Sequence, residues 1–176
     1  MESRQSVRKD EMVQQLIEKN TQLRGQLEKS SSVDENVELL VKIIDIFVWG
    51  QKNDWFFSDF FIEQNIMAYF LTLLHQNAAA KNSRENMVAL IKAYSFFLSN
   101  IKDIEITNYV FSHANFNPFL TFQFDFKDDE VVFYFVNFVK SLSQRFECFP
   151  FQIFYNKVDS LEEPRLSSVH DHSALL

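Results

Sequence analysis

The sequence predicts an all-α protein whose helices stack as an armadillo-like α-solenoid. Three observations support this fold class. The 176 residues include only 2 Gly and 3 Pro, too few for the tight turns of a strand-rich fold. Apolar residues recur at helical spacing through most of the chain. The links between these segments are short, and no helix pair has a closed core, so each must pack on its neighbours.

Charge and cysteine content exclude several classes of protein. The formal net charge is −7, so the chain lacks the basic surface of a nucleic-acid binder or of a protein drawn to anionic lipid. One cysteine excludes an intramolecular disulfide and a cysteine-ligated zinc site. The first twelve residues have no apolar core of a signal peptide, and no apolar run approaches the ~20 residues of a spanning helix. We therefore expect a cytoplasmic protein.

Residues 1–33 are interpreted as an N-terminal amphipathic helix and a linker. The positions at a/d heptad spacing are Val13, Leu16, Asn20, Leu23 and Leu27. This seam has two interpretations: a helix packed on the domain that follows, or a short coiled coil through which the chain self-associates. The run covers only about two heptads, fewer than a coiled coil normally needs.

A helical domain is predicted over residues 34–157. Ser32 and Glu35 have the spacing of a capping box for its first helix. That helix has one continuous apolar face and should end at Gly50, a residue able to take the positive φ of a C-terminal cap. Asp54 is then placed to cap a short Phe-rich helix, and Asn65 to cap the next.

The second half of this domain is predicted with further helices from residue 82 and over 104–112. Residues 121–126 alternate in polarity, and we interpret them as an extended connector with Phe side chains anchored in the core. Acidic residues 128–130 suit the start of a last helix, which is apolar around most of its circumference and should be centrally buried. Residues 158–176 are predicted to be a disordered acidic tail.

Catalytic motifs are absent from the sequence. It contains no GxxxxGK[ST], GxSxG, HExxH or CxxC pattern, and two glycines cannot build a phosphate-binding loop. The four histidines are scattered along the chain. We therefore predict a protein that is not an enzyme, with no catalytic residues, no cofactor, no metal and no small-molecule substrate.

Two blocks of residues carry a resemblance to a known family. The first block is Trp49, Gly50, Asn53, Asp54, Asp59, Phe60, Phe61, Glu63 and Asn65, and the second is Phe124, Asp125 and Phe126 followed by Tyr155 and Asn156. In their order and approximate spacing these blocks resemble the FPL domain, over roughly residues 36–157. Most of these residues should be structural. Trp55 lies off the helical stripe of Phe residues, which makes it the candidate for an exposed contact.

The resemblance implies a non-catalytic adaptor in transport from endosome or Golgi to lysosome or vacuole, and in autophagy. It implies protein partners of that machinery, such as tethering complexes and small GTPases. It also implies peripheral association with endosomal, lysosomal or Golgi membranes. The alternative is a self-associating scaffold that uses the N-terminal heptads.

Overall fold

The computed structural model describes residues 2–29, 32–79 and 84–145, and every regular element within these ranges is an α-helix. This confirms the all-helical fold class for the described part of the chain, while the predicted tail lies outside it. The helices are α1 Glu2–Glu28, α2 Val33–Gly50, α3 Phe56–Glu63, α4 Ile66–Ala79, α5 Arg84–Asn100, α6 Ile104–Val110, α7 His113–Leu120 and α8 Asp129–Ser143.

The three most extensive contacts between helices place α1, α2, α5 and α8 in a row, each against the next. Hydrogen bonds fix the relative direction of α2 and α5. At their first turns Asn86 Nδ2 donates to Asp34 Oδ1 at 2.5 Å. At their last turns Gln51 Nε2 donates to the carbonyl oxygen of Asn100 at 3.0 Å. Because the start of α2 is bonded to the start of α5 and the end of α2 to the end of α5, the two helices run parallel.

Helices α5 and α8 are parallel for the same reason. Arg84, at the start of α5, forms ion pairs with Asp128 at 3.6 Å and Glu130 at 3.1 Å, at the start of α8. Arg145, just after α8, donates from Nε to the carbonyl oxygen of Leu98 at 2.8 Å. A parallel pair needs a long return connection, and the shorter helices α3, α4, α6 and α7 supply it.

The returning helices pack with the same three-helix offset. Helix α3 contacts α6, α4 contacts α7, and α5 contacts α8. Helix α1 differs, since it precedes α2 by a short connection and runs antiparallel to it. The side chains of Leu16 and Leu23 are buried on its predicted heptad face. The first interpretation of that face is therefore confirmed: α1 packs on the domain that follows it.

Aromatic rings in the core join the row of α1, α2, α5 and α8 to the shorter helices α3, α4, α6 and α7. Phe61 on α3 stacks on Phe97 of α5 with ring centroids 4.9 Å apart, and lies 4.5 Å from Phe47 of α2. Tyr94 of α5 is fully buried, with Phe119 of α7 at 4.4 Å. Such pairs add about 0.5–1.5 kcal/mol each beyond the area they bury. The excess of Phe in the composition is therefore used to fill the core.

Several local predictions were wrong. Ser32 precedes α2, but its side chain makes no capping hydrogen bond. Gly50 is the last residue of α2 and does not have a positive φ; in the described residues only Asn65 does, with φ 51°. The side-chain oxygen of Asn65 accepts a hydrogen bond from the Tyr109 hydroxyl, and its capping of α4 stays a prediction. Helix α7, with Pro118 inside it, was not predicted.

Helix α8 is not centrally buried, contrary to expectation. Its side facing the rest of the domain buries Val131, Phe138 and Leu142. On its other sides Phe133 is 60% exposed and Val136 is 45% exposed. The reason is position: α8 is the last described helix of the row, so it has a neighbour in α5 on one side only. An apolar circumference therefore does not by itself show that a helix is central.

Tyr94→Phe should raise the free energy of unfolding by about 1–2 kcal/mol, because a buried hydroxyl without a partner costs roughly that much. The Tyr94 hydroxyl is buried and has no hydrogen-bond partner, and burial raises its pKa. Urea unfolding followed by circular dichroism measures the change. Tyr109→Phe is the matched control, since its hydroxyl bonds to Asn65; that variant should lose about 1 kcal/mol. Equal losses in both variants would contradict the prediction.

Candidate functional site

The candidate site is the corner between α2 and α3, where most of the first signature block lies. Helix α2 ends at Gly50, and residues 51–55 turn the chain into α3. The backbone N–H groups of Asn53 and Asp54 both donate to the Gly50 carbonyl oxygen, at 2.8 and 3.0 Å. The Asn53 side chain adds a bond from Nδ2 to the Trp49 carbonyl oxygen at 2.8 Å. The corner is thus closed by its own polar groups.

Asp54 holds this corner to both neighbouring helices. One carboxylate oxygen accepts the Phe56 backbone N–H at 2.8 Å, so Asp54 satisfies the first N–H group of α3. The predicted capping bond is present, but Asp54 lies one residue before Trp55, which occupies the N-cap position. The other oxygen forms an ion pair with Lys9 of α1. The Lys9 hydrogen bond, followed by the Phe56 N–H, holds the pKa of Asp54 below its usual range, and the same bond raises the pKa of Lys9.

The sign of these pKa shifts fixes when the ion pair stabilises the fold. Because the pKa of Asp54 is lowered, its contribution is complete above the usual aspartate pKa and is lost as pH falls through the folded-state value. Because the pKa of Lys9 is raised, its contribution is complete below the usual lysine pKa and is lost at higher pH. The contact between α1 and the corner therefore operates across the neutral range.

A shallow cavity lies where α1 crosses this corner. Its volume is about 240 Å³, and its lining includes Ser6, Lys9, Trp49 and Asn53. The guanidinium of Arg8 lies 5.5 Å from the centre of the Trp49 ring, a cation–π distance. The lysine charge is already paired with Asp54, and the arginine is stacked on the indole. The two cations beside the cavity, Lys9 and Arg8, are thus both in contact with residues of the corner.

Trp55 projects from the corner into solvent, with 74% of its surface exposed. It lies just before α3, and its carbonyl oxygen accepts the backbone N–H of Ser58 at 2.9 Å. A tryptophan has a large apolar ring and one N–H donor, which suits interfaces with one wet and one dry side. The exposed position fits a contact residue, and the contact itself stays a prediction.

Among the remaining residues of the first block, Phe60, Phe61 and Asn65 make contacts within the fold. Phe61 is buried, and Phe60 is half-buried with its ring 5.8 Å from that of Phe56. Asn65 makes the left-handed turn between α3 and α4 and bonds to Tyr109. Asp59 is half-buried and Glu63 is exposed, both on α3.

The second block lies at the connection between α7 and α8. Phe124 is buried, with ring centroids 5.5 Å from Phe119 and 5.1 Å from Phe135. The Asp125 carboxylate accepts the backbone N–H of Lys127 at 3.0 Å. Phe126 is 54% exposed, so only part of the predicted anchoring by Phe side chains is confirmed. Tyr155 and Asn156 lie outside the described residues.

The described side chains include no group of three or more His, Cys, Asp or Glu placed to hold a metal ion. In the same part of the chain, no helix is both long enough and apolar enough to cross a membrane.

Lys9 and Arg8 were missed as partners of the corner. Both contacts depend on how α1 packs against the corner, and no local sequence pattern predicts that packing.

The model of one protein family, FPL, described as an uncharacterised conserved protein, matches residues 40–163. The chain belongs to the FPL family. The matched region contains the whole corner from Trp49 to Asn65 and both blocks of the predicted signature. The ion-pairing Lys9 and the stacked Arg8 lie before it. The FPL region thus supplies the corner, and α1 adds a contact from outside the matched region.

Curated relatives agree with this membership. The chain is 32% identical over 136 residues to the protein CLEC16A homolog of Drosophila melanogaster and to protein CLEC16A of Homo sapiens. It is 29% identical over 126 residues to protein TRANSPARENT TESTA 9 of Arabidopsis thaliana. These matches cover 74%, 74% and 69% of the chain but only 13%, 12% and 15% of the relatives. No solved structure matches.

Proposed function

We propose that this FPL-family chain is a non-catalytic helical adaptor in membrane trafficking. It acts in transport from endosome or Golgi to lysosome or vacuole, and in autophagy. The observation that carries the proposal is the corner itself, which is closed by its own hydrogen bonds and displays Trp55 at 74% exposure. The chain covers only 12–15% of the length of these relatives, so no whole-protein activity is taken from them. The trafficking steps named in the proposal come from the family resemblance.

An armadillo-like array is the architecture we propose for this adaptor. It is supported by the parallel helices α2, α5 and α8 and by the offset that pairs α3 with α6 and α4 with α7. In such an array each unit packs only on its neighbours, and the end unit leaves a side uncovered. The exposed Val136 and Val139 on α8 lie on a side that no other described helix covers.

Protein partners suit this surface better than direct binding to lipid. A net charge of −7 opposes attachment to anionic membranes, so peripheral association with endosomal, lysosomal or Golgi membranes would be mediated by a bound protein. Tethering complexes and small GTPases are the partners that the resemblance implies. The proposal includes no enzymatic activity, because it assigns no chemistry to the corner.

The alternative function was self-association through the N-terminal heptads. The face that carries Leu16 and Leu23 is buried, and α1 lies along α2. A coiled coil would have to remove α1 from the domain and expose the apolar surface beneath it. We therefore do not extend this alternative into a second proposal.

The experiment compares fluorescently tagged wild-type chain with Trp55→Ala in cells depleted of the endogenous protein. The wild type should concentrate on endosomal or lysosomal membranes, and Trp55→Ala should become diffuse while it melts at the wild-type temperature. Phe133→Ala is the matched control, since it removes another exposed aromatic side chain from a helix elsewhere in the fold. Diffuse wild-type protein together with normal delivery of lysosomal cargo in depleted cells would overturn the proposal.

A further inference from the structure

A groove lies between α2 and α5, and the residues that line it belong neither to the corner nor to the two signature blocks. Its volume is about 250 Å³, and Val41, Ala89 and Ala93 form much of its lining. The two alanines lie four residues apart on α5, where their small side chains leave the space between the helices unfilled. Phe96 stands at its edge and is 44% exposed. The groove thus offers a recess of mostly apolar character.

Two opposite charges lie at the edges of this recess. Asp45 belongs to α2 and Lys92 belongs to α5. Within the residues described, Asp45 makes no ion pair, and partial burial raises the pKa of its carboxyl group. Lys92 is turned toward α8, with its Nζ 4.0 Å from the centre of the Tyr134 ring. Within the described residues the exposed Asp45 carboxylate therefore lines the apolar recess without an ion-pair partner, while the Lys92 ammonium contacts Tyr134.

We propose that this groove binds a peptide segment of a protein partner that carries an aliphatic side chain next to a basic one. The aliphatic side chain fills the recess over Ala89 and Ala93, beside Phe96. The basic side chain pairs with Asp45, an exposed carboxylate that forms no ion pair with the described residues. The inference rests on the proposed adaptor function and specifies the chemistry of its partner.

Charge complementarity favours this occupant over the alternatives. An anionic lipid would place its headgroup against the Asp45 carboxylate, which repels it. A second copy of the chain would bring the same net charge of −7 toward this surface. A basic peptide meets neither cost, and its aliphatic side chain matches the size of a small recess between two helices.

The experiment selects random twelve-residue peptides displayed on phage against the full chain, with no membrane present. Selected peptides should be enriched in Leu, Ile or Val adjacent to Arg or Lys. Fluorescence polarisation of the best labelled peptide then tests two variants. Asp45→Lys and the groove-filling Ala89→Leu should each weaken binding about tenfold or more, because a close charge pair and a filled pocket dominate small interfaces. Glu38→Lys, an equal charge reversal on the same helix, should stay within about twofold.

A charge exchange keeps the test decisive if Ala89→Leu perturbs the fold. A peptide whose basic residue is changed to Glu should lose binding to the wild type and regain it with Asp45→Lys. Absence of enriched peptides, or equal binding by all variants, would overturn the inference. So would competition by phosphatidylcholine–phosphatidylserine vesicles, which would identify a lipid site, or Asp45-dependent dimerisation in sedimentation. Loss of recruitment in Trp55→Ala with intact peptide binding would separate this groove from the corner.

Discussion

Gly50→Ala should destabilise the protein by about 3 kcal/mol, the upper range for overpacking a filled core. A Cβ atom at Gly50 would lie 2.1, 2.3 and 2.4 Å from three ring atoms of Phe57. Phe57 is fully buried, and its ring is flanked by Trp49 at 6.3 Å and Phe56 at 5.8 Å. The ring therefore cannot retreat without moving the start of α3. Helix propensity alone would favour Ala by about 1 kcal/mol, so a net loss isolates the steric effect.

Urea unfolding measures this change, and the chain contains its own control. Gly25 also lies in a helix, but a Cβ atom there would meet nothing within 4 Å. Gly25→Ala should therefore stabilise the protein by about 0.5–1 kcal/mol. In the background of Phe57→Val, which removes ring atoms, the cost of Gly50→Ala should shrink. If both glycine variants are equally stabilising, the close approach of α2 and α3 is wrong.

This glycine shows what the sequence could and could not reveal. Its position marked the end of α2 correctly, because an apolar helical face stops there and Asp54 follows. The reason inferred for it, a positive φ, was wrong. The actual cause is the close approach of the Phe57 ring from the next helix, and the distance between two helices is not encoded in any local pattern.

Periodicity worked wherever a helix buries one face against neighbours on both sides. Phe70 and Leu74 of α4 and Ile91 and Leu98 of α5 recur at helical spacing in the sequence, and all four are buried. It failed for α8, whose exposure depends on what lies beyond it in the row. It also failed for α7, where Pro118 interrupts the helical pattern of a short segment. Local sequence patterns therefore predicted the buried face of a helix better than the place of that helix in the fold.

The candidate site divides in the same way. The capping role of Asp54 could be predicted from residue type and spacing, since its carboxylate needs only the next N–H groups. The ion pair with Lys9 joins residues 45 positions apart, and the groove beside Asp45 exists only because α2 and α5 are parallel neighbours. Features that depend on which helices become neighbours required the structure.

Phe61→Ala should lower the free energy of unfolding by about 4 kcal/mol, as expected for a large aromatic side chain removed from a filled core. Its ring lies 4.5 Å from Phe47, 4.9 Å from Phe97 and 6.2 Å from Tyr109. It thus joins α3 to α2, α5 and α6 at once. Its removal leaves a cavity lined by other rings, which are too rigid to collapse into it. Chemical unfolding with intact reversibility gives the value directly.

Trp55→Ala, six residues earlier, is the matched aromatic control. Because its side chain is 74% exposed, the change should stay within about 0.5 kcal/mol. A large loss for Phe61 and a negligible one for Trp55 would separate the two uses of aromatic residues in this stretch. The buried Phe61 packs α3 against α2, and the exposed Trp55 is available to a partner. Comparable losses in both variants would mean that Trp55 is also architecture, and the exposed contact would then have to be sought at the groove beside Asp45.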